Sequence, residues 1–229
     1  ADGSRKIIVV AASGALDESS ARRLADDLSL ATTAPVPQAS APDIGEDREI
    51  ILGAAKAQDA VGFMAPAPAA NAPGALATSI ALYVLSHGYG GRLGEEAIAR
   101  RGLAYYIDTQ YRTGVSGGAV TIATGVDPEK VDAFRHLMKA EIASLKTEPS
   151  TDAEIAEAKR HLLGRKISAA QSNEEIAESM LHDFLAVGRP ESAGEFAARL
   201  DKVTRADVLD AVEALQKGAV VTVRGAGVD

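Results

Sequence analysis

The chain has 229 residues, 46% of them hydrophobic and 24% charged, with a formal net charge of −8. That acidity leaves no basic run to displace counterions from a phosphate backbone, so nucleic acid is not an expected partner. The absence of cysteine excludes disulfides, Cys-based zinc sites and thiol nucleophiles, and no run of about 18 apolar residues is available to span a membrane.

Aromatic residues are few, at 4%, and tryptophan is absent, so a core has to be built from Ala, Leu, Ile and Val. The chain starts at Ala1 and enters an apolar stretch almost at once, without a charged segment followed by a hydrophobic one. No signal peptide is therefore expected, and the chain reads as processed or as a fragment of something longer. Ile7–Ala12 reads as a short buried strand. Asp17 then suits an N-cap, with Ala21, Leu24, Ala25 and Leu28 at helical spacing. Residues 31–46 carry Pro35, Pro37 and Pro42 and read as an extended connection.

Two strands are expected at Arg48–Gly53 and Asp59–Ala65, the second broken by the Pro/Ala-rich segment Pro66–Pro73. A helix from Pro73 to about His87 carries Leu76, Ile80, Tyr83, Val84 and Leu85 around most of its surface, which predicts a buried helix. Gly88-Tyr89-Gly90-Gly91 ends it, and a short helix comes next at 92–100. Gly102–Arg112 and Ala119–Thr124 read as paired strands around a turn at Gly114–Gly118. From Asp127-Pro128 the chain turns helical, with Val131, Phe134, Met138, Ile142 and Leu145 on one face. Capping-box patterns recur at Thr151/Glu154, Ser172/Glu175, Ser192/Glu195 and Thr204/Asp207. Gly218 stops the last helix, and Ala219–Val223 reads as a closing strand that rejoins the sheet begun by the first. The order predicts one α+β domain over 1–229: a largely antiparallel mixed sheet of five to six strands with helices on one face.

Chemistry is sparse. A helical zinc protease needs two histidines one turn apart and a glutamate to activate water. His87, His136, His161 and His182 are too dispersed for that. Glu157/His161 and Glu178/His182 are i,i+4 pairs that read as helix-surface pairs. His87, at a helix end beside glycines, reads as a residue bonding a helix carbonyl. Gly88–Gly94 resembles a phosphate cradle but lacks a Lys-Ser/Thr and comes after no strand, so a phosphate or nucleotide binder is only an alternative. Ser86-His87 and Ser116-Gly117-Gly118 make no nucleophile-and-base arrangement.

Arg92-Leu93-Gly94 through Arg101-Gly102-Leu103-Ala104-Tyr105 resembles a stretch of the pitrilysin/insulinase family of zinc metallopeptidases, which includes mitochondrial processing peptidases and bacterial relatives. The resemblance continues at Thr121–Val131 with Gly125-x-Asp127-Pro128, at Glu154–Lys159 with Leu162-Leu163-Gly164, and at Val203–Val208. It implies two similar α+β halves, of which this chain is the second, inactive one. Zinc and the His-x-x-Glu-His motif are then expected in a partner half, upstream or on another chain, and none in this one. The role implied is to close a proteolytic chamber and help hold a peptide. The implied partners are that catalytic half, the peptide substrate, and a second subunit in a homo- or heterodimer. The family's second half often supplies an Arg/Tyr pair to the substrate. Tyr105 matches the tyrosine, but the arginine position is Ile98. Arg100 and Arg101 lie nearby on other helix faces, and Arg101 is a second candidate for substrate contact. Tyr105 could equally be a strand tyrosine packed on a helix. The same resemblance allows a wholly structural assembly subunit, and bacterial relatives suggest the periplasm.

Overall fold

The computed structural model describes residues 9–29, 44–53, 57–169 and 171–225. Helix α1 (Glu18–Ser29) begins at Asp17, whose carboxylate accepts the Ser20 N–H at 2.7 Å. Strands β1 (Arg48–Leu52) and β2 (Asp59–Ala67) come next, then the apolar helix α2 (Ala75–Leu85) and the single turn α3 (Gly91–Gly94). A π-helical segment covers Glu95–Arg100 and precedes the hairpin of β3 (Asp108–Thr113) and β4 (Gly118–Val126). A 3-10 turn at Pro128–Lys130 leads into α4 (Val131–Thr147), α5 (Asp152–Ser168), α6 (Asn173–Val187), α7 (Ala193–Asp201), α8 (Arg205–Leu215) and finally β5 (Ala219–Gly225).

Among the described residues the strands form one five-stranded sheet in the order β1-β5-β2-β4-β3. Strands β1 and β5 run parallel; β2 pairs antiparallel with β5 and with β4, and β4 antiparallel with β3. Alternation along the central strands sends Val61, Phe63 and Ala65, then Val120, Ile122 and Val126, to the same covered face. There they meet α2, where Ile80, Ala81, Leu82, Val84 and Leu85 are buried, and the faces of α4 and α8 led by Phe134, Met138 and Leu215. The mixed α+β sheet predicted from the strand pairs is thus the architecture observed.

Several boundaries differ from expectation. Strand β2 runs through Pro66 to Ala67 instead of ending at Ala65. Strand β5 accompanies it only to Met64, so beyond that point β2 has a single neighbour and tolerates the missing proline N–H. The strand expected at Ile7–Ala12 is not formed over Val9–Ala12, where half the residues are exposed; Ile7 and Ile8 lie outside the described residues. The closing strand joins β1 and β2, not that first segment. Most of the Pro-rich connection, residues 31–43, also lies outside the described residues.

The expected strand Gly102–Arg112 shortens to start at Asp108. Gly102 takes a left-handed φ of 55°, and Ala104 and Ile107 are the buried residues, a spacing that does not alternate. Full capping boxes form at Thr151/Glu154, Ser192/Glu195 and Thr204/Asp207. At Ser172 the hydroxyl accepts the Glu175 N–H, but the reciprocal backbone bond is absent. Asp127 makes no side-chain cap; its carboxylate accepts from Lys130 Nζ at 2.9 Å instead.

Candidate functional site

The segment that carries the resemblance is largely a packing device. Leu93 and Ala97 are fully buried and Ala104 nearly so. Gly94 has no room for a side chain, since a Cβ there would lie 2.6 Å from the Gly88 carbonyl. The glycine-rich loop is therefore pressed onto its own helix turn, and close backbone packing accounts for Gly94 without a phosphate. Arg92 donates from Nε and Nη2 to the two carboxylate oxygens of Glu154, at 2.8 and 2.9 Å, and from Nη1 to the Glu148 carbonyl at 2.7 Å. The guanidinium, and then the Thr151 backbone N–H, hold the Glu154 carboxyl down at about 2 against the effect of burial. One arginine thus ties α3 to the end of α4 and the capping box of α5.

The π-helical segment sets the path of the chain into Tyr105. Its wider turn closes with Arg101 N–H donating to the Glu96 carbonyl at 3.1 Å and Leu103 N–H to Ala97 at 2.7 Å. Ile98 is half-buried and packed against the core. Arg100 is held by Glu95 and Glu96 at 2.7 and 2.6 Å, and Arg101 Nε donates to Glu96 at 3.1 Å. Arg101 thus turns to its own segment and makes no hydrogen bond to Tyr105. Tyr105 itself sits in a bend, 68% exposed, not on a strand against a helix. The two signature segments do meet: Thr124 Oγ1 donates to the Tyr106 carbonyl at 2.5 Å. The Lys130 ammonium is held above the ordinary lysine range chiefly by its bond to Asp127.

Beside this segment runs an open groove of about 660 Å³. Its floor and one wall are Ser79, Tyr83 and His87 of α2 and its end, with His161 and Arg165 of α5; the other wall is β3. Consecutive β3 residues from Asp108 to Arg112 line it, so both strand faces contribute. No strand pairs with the outer edge of β3 among the described residues, and the groove runs along that free edge. Tyr83 and His87 stack at 3.9 Å with planes 1° apart, and His161 tilts onto Tyr83 at 4.6 Å. The His87 Nδ1–H donates to the Tyr83 carbonyl at 2.9 Å, the helix-end role its sequence position suggests. Burial, then Arg165, then His87 hold His161 below the ordinary imidazole range. Glu157 accepts from the Tyr83 hydroxyl at 3.5 Å, and its charge acts on His161 in the opposite direction, raising it, without a hydrogen bond between the two. Glu178 and His182 form no ion pair either. Among the described residues no three His, Asp or Glu side chains converge on a common point where a metal ion could sit.

The family model for the peptidase M16 inactive domain matches residues 4–162, well over half the chain. The chain belongs to the peptidase M16 inactive-domain family. Solved structures repeat the fold. The peptidase M16 inactive domain from Pseudomonas fluorescens is 22% identical with a TM-score of 0.73, the likeness covering 93% of this chain and 52% of that one. A protease from Helicobacter pylori is 15% identical with a TM-score of 0.74, covering 93% and 53%. The inactive peptidase domain of a protein described as a zinc protease, from Bordetella parapertussis, is 19% identical with a TM-score of 0.64, covering 78% and 96%. This chain spans about half the length of the Pseudomonas and Helicobacter chains. No curated protein sequence matches it.

The pitrilysin-type inactive half expected from Arg92–Tyr105 and Gly125–Pro128 is thereby borne out. In this M16 inactive domain the groove residues Tyr83, His161, Arg112 and Arg165 do not stand out as a set in the sequence, because they lie on three elements. The i,i+4 spacing of Tyr83 and His87 is a readable signal, hidden by the apolar character of the rest of α2.

Proposed function

We infer that this inactive domain pairs with a zinc-bearing catalytic half of an M16 peptidase, closes the chamber against it, and holds an extended peptide along β3. The observation that carries the reading is the free edge of β3 with a groove beside it. An edge strand offers unpaired backbone N–H and C=O groups, and a peptide can add to it as a further strand while its side chains enter the groove. The roughly 20 Å of a six-residue strand is long enough for register to be held by several backbone bonds. Exposed Tyr105, just upstream of β3, is available to the same peptide. Membership of the inactive-domain family supports assigning zinc and hydrolysis to the partner half. The span of about half the Pseudomonas and Helicobacter chains leaves room for such a second unit.

One observation favours a purely architectural subunit: Ile98, at the family's arginine position, is committed to the core. A single assay separates the readings. The purified chain, with and without added zinc, is given an unstructured peptide carrying a fluorophore and quencher. Binding without cleavage is expected; no binding supports the architectural subunit, and cleavage by the chain alone contradicts both readings.

A further inference from the structure

The sheet register divides β3 into two unlike faces. Thr109, Tyr111 and Thr113 stand opposite Ile122, Val120 and Gly118 of β4, on the face the helices cover, and Thr109 Oγ1 donates to Ser86 Oγ there at 3.0 Å. Asp108, Gln110 and Arg112 stand opposite Ala123, Thr121 and Ala119 on the other face, where they bond to one another in a row. On the helix side the groove is lined by rings and branched side chains: Tyr83 and His87 of α2 and its end, His161 and Leu162 of α5, and Ile107 and Tyr111 on the β3 side. The rings form a fixed set. Tyr83 and His87 stack at 3.9 Å, His161 lies 4.6 Å from Tyr83, and the His87 and His161 centroids are 6.4 Å apart. His87 is held by the bond from Nδ1 to the Tyr83 carbonyl and by Gly90, where a Cβ would run into Nε2. His87 and His161 are exposed all the same, so ring surface is open to the groove. The charges around it are of both signs, Asp108 and Glu157 against Arg112 and Arg165.

We propose that the β3 groove selects extended peptides carrying a bulky aromatic side chain, which packs on the Tyr83–His87–His161 rings while the peptide backbone pairs with the edge of β3. This rests on the reading of β3 as the peptide-holding edge and adds the class of side chain it takes. A strand added to β3 continues the alternation, so every second peptide side chain points to the helix-covered face and the next to the row of Asp108, Gln110 and Arg112. A side chain of the first kind meets rings and the apolar Ile107 and Leu162. Burial there removes apolar area from water, and an aromatic ring adds stacked or edge-to-face contacts that an aliphatic one lacks. Because the ring set is held in place before any peptide arrives, little side-chain freedom is lost on binding. With charges of both signs around the groove, neither an acidic nor a basic side chain is favoured, and the selectivity is expected to be insensitive to salt.

The test uses three fluorescein-labelled peptides that differ only at one central residue, Phe, Ala or Glu, and reads their anisotropy with the 229-residue chain at low and at physiological salt. The Phe peptide is expected to bind about tenfold tighter than the Ala peptide at both salt concentrations, with the Glu peptide no tighter than Ala. His161→Ala should remove most of the Phe advantage, and His161→Phe, which keeps a ring but no imidazole nitrogen, should retain it. The His161 side chain is exposed, so the fold tolerates both changes, as a thermal melt of each variant verifies. Equal binding of the three peptides to the wild type, or a Phe advantage untouched by His161→Ala, overturns the ring preference and leaves the peptide-holding role standing. Binding of none of them overturns both.

Discussion

Arg92 is the residue on which most local order converges. Its side chain is 19% exposed and satisfies Glu154 and the Glu148 carbonyl together. Arg92→Ala strips charge-assisted partners from both and is expected to cost about 2 kcal/mol in urea unfolding, with Arg92→Lys recovering only part because a single ammonium cannot fork. The pair also sets an acid limit. The folded-state value of the Glu154 carboxyl, about 2, lies below its ordinary 4.5, so its contribution is complete above pH 4.5 and is lost as pH falls toward 2. The wild type should therefore lose more stability than Arg92→Ala over that interval; parallel loss in the two proteins would contradict the assignment. Tyr105 is the opposite case. Being largely exposed, it should change stability by no more than about 0.5 kcal/mol when replaced by alanine, while peptide affinity drops by roughly tenfold if it acts as a contact anchor. Ile98→Arg would not cheaply install the arginine expected beside Tyr105, because it drives a charge into a half-buried, packed position; a lowered melting temperature is expected.

At the scale of elements, sequence and structure agree where a pattern is local. Capping boxes at Thr151, Ser192 and Thr204 are readable because the bonds span only a few residues, and Thr151→Ala should cost about 1 kcal/mol in α5. The buried character of α2 is equally legible from its apolar circumference. The π-helical turn is not, since Glu95–Arg100 has no composition that distinguishes a 3.6-residue turn from a wider one. Nor is the late start of β3: Leu103, Tyr105 and Ile107 alternate with other residues as a strand would, yet Gly102 turns the chain and Tyr105 faces water. The groove depends on β3 lying at the sheet edge beside α2 and α5, a tertiary fact no local pattern encodes.

For the whole molecule, the resemblance in Arg92–Tyr105 points to the right family because those residues build the fold, and for the same reason it says little about what the fold holds. The proposed peptide holding rests instead on the free edge of β3. Amide hydrogen exchange of the 229-residue chain, with and without a saturating extended peptide, tests that edge most directly. Added as a strand, the peptide should slow exchange at alternating amides of residues 108–113, with β1, the other edge of the same sheet, unchanged. Bound peptide with unaltered exchange along β3, or protection appearing at β1 instead, would contradict strand addition at β3.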